Sequence, residues 1–127
     1  MSDTYYVKTF GGLEITNDNV TVNIVELFGK QLVNLLQVLL FHSEKPVQKD
    51  ELIDILWPES KNPSSALKFS IFRLRAELNE IEFFKDKEVI VTTRKGYILN
   101  PNLDWNIDFV ELEKAYNQIN DGSELLD

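Results

Sequence analysis

Two hydrophobic periods divide the chain. Through residues 4–28 apolar and polar positions alternate in short runs, TYYVKTF, LEIT and NVTVNIV, rich in β-branched and aromatic side chains. This is the pattern of short half-buried strands. Gly11-Gly12 and Asn17-Asp18-Asn19 lie between the runs and supply turn residues for tight antiparallel connections. From Lys30 onward the apolar spacing changes to three and four. In Lys30–Ser43 the apolar residues from Leu32 to Phe41 leave only a narrow polar strip at Lys30, Gln31, Asn34 and Gln37, which predicts a central helix covered on several sides. Val47–Trp57 predicts a shorter helix with Leu52, Ile53 and Leu56 inward and Asp50, Glu51 and Asp54 outward, ended by Pro58.

The third helical stretch, Asn62–Leu78, has the best-marked start. Asn62 suits the N-cap, and Pro63 suits the first helical position, where its missing N–H costs nothing. Leu67, Ile71, Leu74 and Leu78 form one apolar stripe. At ~100° per residue the opposite face holds Ser65, Phe69, Phe72 and Ala76, with Lys68 and Arg75 on one border and Arg73 on the other. A short helix and a turn at Glu59–Lys61 leading into a helix with basic outward positions make a helix-turn-helix arrangement. Farther on, EVIVTT and YILN alternate around Arg94-Lys95-Gly96. That predicts a hairpin with two positive charges at its tip and Gly96 supplying the turn conformation. Phe109, Leu112, Tyr116 and Ile119 form a last helical stripe that needs a partner.

Composition narrows the chemistry. At 127 residues, 43% hydrophobic and 27% charged, the chain has the size and balance of one globular domain with a short appendage. It has no cysteine, which excludes disulfides, thiolate zinc sites and cysteine nucleophiles. The single histidine, His42, stands at a loop edge without further ligand residues. Gly11-Gly12 lacks the spacing of a phosphate loop, and Asp50, Glu51 and Asp54 read as a solvated helix face. No enzyme, metal or cofactor is expected. The N-terminus lacks a signal-peptide pattern, and the densest apolar stretch, Leu32–Phe41, is too short to span a bilayer. A cytoplasmic location and no membrane partner are the expectation.

Charge is uneven. The net value of −8 opposes phosphate binding. However, residues 106–127 alone hold six acidic residues against one lysine, and Lys61–Tyr97 holds eight basic residues against five acidic.

The ordered set F-G-G-L-E-I (10–15), L-x-x-L-L-x-x-L-L (32–40), V-x-x-x-E-L-I-D-I-L-W-P (47–58), A-L-x-x-x-I-x-R-L-R-x-x-L (66–78) and T-x-x-x-G-Y-x-L (92–99) resembles the winged helix-turn-helix effector domain of OmpR/PhoB-type response regulators. It looks most like the N-terminal part of SARP-type bacterial transcriptional activators. The resemblance covers about residues 5–100. It implies an α+β fold: an N-terminal antiparallel sheet, a three-helix core and a C-terminal β-hairpin wing. It also implies a winged-helix unit over 1–103, with 104–127 as the truncated start of a helical activator-type domain. An effector domain beginning near Met1, with no receiver domain ahead of it, fits the SARP-like arrangement.

By the same resemblance the protein is a sequence-specific DNA-binding domain of a bacterial transcriptional regulator. The 62–78 helix would enter the major groove, and the 92–97 wing would touch the adjacent groove or backbone. Base contacts are implied for Lys68, Phe72 and Arg73, with Arg73 suited to guanine O6 and N7. Backbone and wing contacts are implied for Trp57, Ser64, Ser65, Arg75, Thr92, Arg94, Lys95 and Tyr97. Trp57 and Tyr97 suit the core equally well. The implied partners are double-stranded DNA carrying a direct or inverted repeat, a second copy of the chain on that DNA, and RNA polymerase. The alternative is a winged helix used for protein–protein contact through Phe69 and Phe72, because exposed aromatic pairs also mark protein interfaces.

Overall fold

The computed structural model describes residues 4–121; the end of the 104–127 segment, residues 122–127, lies outside them. Strands β1 (Thr4–Lys8), β2 (Glu14–Asn17) and β3 (Val20–Asn23) form the expected antiparallel meander, with Val7 opposite Ile15 and Ile15 opposite Val22. The period of two has its expected effect: Tyr5, Val7 and Ile15 are buried, while Tyr6 and Lys8 face out. Asp18 and Asn19 both adopt positive φ, 49° and 75°, as a two-residue hairpin turn requires and as Asp and Asn tolerate. The run NVTVNIV does not stay extended to its end. Asn23 caps a helical turn, α1 (Ile24–Leu27), with its side-chain oxygen accepting from the Glu26 N–H at 3.2 Å. A local cap therefore overrides the β-branched propensity of Ile24 and Val25.

Helix α2 (Lys30–Phe41) is the central element, buried from Leu32 to Leu40 except at Asn34. Helix α3 (Lys49–Leu56) starts two residues later than its apolar pattern suggests, because Val47 is used as strand. Val47 and Tyr97 exchange backbone hydrogen bonds of 2.8 and 3.0 Å. Helix α4 (Pro63–Asn79) buries Leu67, Ile71, Leu74 and Leu78 as the stripe predicts, together with Ser70. Asn62 holds the N-cap position, but its side chain makes no capping bond. A 3-10 turn at Glu82–Phe84 then leads to the hairpin of β4 (Ile90–Thr93) and β5 (Gly96–Leu99).

Two pairings tie the chain's ends together. Strand β6 (Asp104–Ile107) joins the first sheet parallel to β1, with Tyr5 opposite Trp105 and Val7 opposite Ile107, giving the order β3-β2-β1-β6. Tyr5, Phe83, Phe84 and Trp105 form an aromatic cluster with neighbouring ring centroids 4.8–5.8 Å apart. Helix α5 (Phe109–Asp121) lies on α2 and α3. Leu112 enters the common core, and Tyr116 stacks on Phe41 at 4.2 Å with the rings within 7° of parallel.

Candidate nucleic-acid interface

The apolar stripe of α4 fixes which side chains remain outside. With Leu67, Ile71, Leu74 and Leu78 inward, Ser64, Ser65, Lys68, Phe69, Phe72, Arg73 and Ala76 are exposed. Lys68 and Arg73, both expected to touch bases, stand on this outer face. Arg73 lies with its guanidinium carbon 6.0 Å from the Phe69 ring centroid and one nitrogen 3.8 Å from the Glu77 carboxylate. Both groups of that ion pair are well exposed, so it is screened and holds Arg73 only weakly. The guanidinium can leave Glu77 for a stronger acceptor at little cost.

Arg75, one of the implied backbone contacts, is turned toward the wing. Its side chain reaches the hairpin: Nε and Nη2 donate to the Ile90 carbonyl at 3.3 and 3.2 Å, and Nη2 donates to Thr92 Oγ1 at 2.6 Å. It thus fixes the angle between α4 and β4. Beside it a groove of about 580 Å³ runs between helix and wing, lined by Phe72, Arg75, Ala76, Lys87 and Thr92 among others.

At the tip of the wing Arg94 and Lys95 form a two-residue turn and are exposed. Thr93 pins that turn: its hydroxyl donates to the Gly96 carbonyl at 3.0 Å and accepts the Lys95 N–H at 3.1 Å. Gly96 is not in the turn but opens β5, at φ 135°. A Cβ there would overlap the Val47 carbonyl, so glycine is needed where the Val47 strand crosses the hairpin. Tyr97 is only 5% exposed and belongs to the core, with Lys49 Nζ 6.0 Å from its ring centroid. Trp57 is half-buried against the same core. Ser64 and Ser65 lie in the first turn of α4, whose N–H groups have no side-chain cap.

The fold therefore brings Phe72, Arg75 and Thr92 to one groove and Lys49, Arg94 and Lys95 to another at the wing tip. Lys49 was not singled out in the sequence, since only the Val47–Tyr97 pairing carries it to the wing. Elsewhere, His42 packs edge-on to Phe41 and Tyr116, with Nε2 3.7 Å from Glu51. Burial, and next the Glu51 carboxylate, push the Tyr116 hydroxyl above its ordinary range. Among the described residues no group of three His, Asp or Glu is placed to hold a metal ion, and no helix is long and apolar enough to cross a membrane.

A family model described as "Transcriptional regulatory protein, C terminal" matches residues 19–99. No curated protein matches in sequence. Among solved structures, the DNA-binding domain of Escherichia coli CadC superposes with a TM-score of 0.52 at 27% identity, covering 68% of this chain and 77% of that one. Mycobacterium tuberculosis EmbR, solved in complex with a low-affinity phosphopeptide, superposes with a TM-score of 0.54 at 23% identity. That alignment covers 76% of this chain but 24% of EmbR, and it is a likeness of fold.

Proposed function

The chain belongs to the family of transcriptional regulatory protein C-terminal domains, and on that premise we propose that α4 reads the major groove of duplex DNA while the β4–β5 wing holds the adjacent backbone. The domain is a DNA-binding transcription-regulator domain of the OmpR/PhoB winged-helix type, a family and fold of regulators and not of enzymes. The observation that carries the geometric reading is the α4–wing unit. An outward helix face with Lys68 and Arg73 is locked by Arg75 to a hairpin with Arg94 and Lys95 at its tip.

In this reading Arg73 takes guanine through O6 and N7, and Lys68 and Phe72 touch neighbouring bases. Ser64, Ser65, Thr92, Arg94 and Lys95 meet phosphates and set the register without reading sequence. Arg75 shares its guanidinium between the wing and the backbone, and Trp57 and Tyr97 support the interface from inside. We also propose that residues 1–103 form the DNA-binding unit and that 104–127 belong to a helical activator-type segment, seated on it through β6 and α5. Two copies would bind repeated half-sites, in the cytoplasm, and contact RNA polymerase there. The local nature of the positive charge supports pairing on DNA, because one copy would bind weakly.

The test is selection of duplexes from a random pool by this 127-residue chain at low salt, with Arg73→Ala in parallel. Enrichment of a short repeat by the wild type and its loss in the variant is the expected result. A folded wild-type protein that enriches nothing would contradict the reading.

A further inference from the structure

Phe69 and Phe72 are the part of α4 that polar recognition does not use. The two residues are 62% and 70% exposed, on the face opposite the core. Water is a poor environment for two aromatic rings, so a partner that covers them gains their burial. The surroundings do not form a broad apolar patch: Ser65 and Ala76 on the same face are small, and Lys68 and Arg73 beside them are charged. This is a surface of two apolar points among cations and small groups, which suits a groove walled by phosphates and fits a large apolar protein face poorly.

The chemistry of the major groove then narrows the match. Among the groups that bases present there, the C5-methyl of thymine is the one apolar group that projects into the groove as a full methyl. Three residues of α-helix advance by about 4.5 Å, between one and two base steps of about 3.4 Å, so the two rings can reach methyls on neighbouring base pairs. We propose that Phe69 and Phe72 are specificity-determining residues that read thymine through its methyl group. This rests on α4 entering the major groove as above. Phe69 also lies against the Arg73 guanidinium. One ring therefore serves two contacts: it covers a methyl on one side and supports the arginine that takes guanine on the other. The half-site that fits is a guanine next to one or two thymines. Ser65 and Ala76 leave room for the helix backbone to approach.

The experiment starts from the duplex enriched by the 127-residue chain. Each thymine is replaced in turn by deoxyuridine, which removes the methyl and keeps the base pair. Wild type, Phe69→Ala and Phe72→Ala are titrated by fluorescence anisotropy. At one or two positions deoxyuridine should weaken wild-type binding by about fourfold, the size of burying one methyl group. In the matching alanine variant the same replacement should have no further effect. Both rings are exposed, so circular dichroism should show the variants folded. The proposal is overturned if wild type binds every deoxyuridine duplex as tightly as the parent, or if both variants keep the full deoxyuridine penalty. It is equally overturned, in favour of a protein partner for the rings, if both variants bind the thymine duplex with wild-type affinity. Those outcomes leave DNA recognition through Arg73 standing, whereas failure to bind any duplex removes both readings.

Discussion

Arg73 and Arg75 stand two positions apart on α4, about 200° around the helix, and that separation gives them unlike tasks. Arg75 turns toward the wing and donates to Ile90 and Thr92; Arg73 remains on the outer face. Arg75→Ala should therefore cost about 1–2 kcal/mol of stability, the worth of charge-assisted bonds to a partly buried carbonyl. Arg73→Ala should stay within about 0.5 kcal/mol of wild type; urea unfolding of the two variants checks the contrast. Helical spacing made Arg73's exposure legible in the sequence. It could not show Arg75's partners, which lie 15 and 17 residues away on another element. Gly96 was legible as a glycine that matters, but not why. Its positive φ and the Val47 carbonyl at its Cβ position predict that Gly96→Ala loses more than about 2 kcal/mol through backbone strain and overlap, measured by the same unfolding curves.

Elements whose apolar period runs unbroken, α2 and α4, were readable to within two residues at either end, because tertiary packing and local pattern agree there. Where the two differ, the pattern misleads. Asn23 stops a strand by capping a helix, and Val47 leaves a helix to pair with Tyr97. Strand β6 was hidden because its partner, β1, is about a hundred residues earlier. The stripe on α5 predicted a partner but not which one. Leu112 is fully buried against the central core, so Leu112→Ala should cost about 2–4 kcal/mol and expose α5 amides to hydrogen exchange. Tyr116 adds a pH signature. Its pKa is raised in the fold, so the folded state keeps the proton to higher pH than the unfolded chain does. Stability owed to this group is flat below about pH 10, the free tyrosine range, and falls above it. Tyr116→Phe should flatten that fall in a series of thermal unfolding curves.

Across the whole molecule, the acidic total of −8 and the basic α4–wing surface set the strength of DNA binding. On the proposed reading Lys68, Arg73, Arg94 and Lys95 attract the duplex at short range against the repulsion of the net charge, so affinity should fall steeply with salt. Each phosphate contact contributes about −0.9 to the slope of log affinity against log salt. Arg94→Ala or Lys95→Ala should therefore make that slope shallower by about one and leave sequence preference intact. The central claim is that α4 reads bases and the wing holds backbone. Its most direct test is the ratio of affinities for the selected duplex and an unrelated one, titrated for wild type, Arg73→Ala and Arg94→Ala. The ratio should be well above one for wild type and Arg94→Ala and near one for Arg73→Ala. A ratio that survives Arg73→Ala, or is near one in wild type, would contradict it.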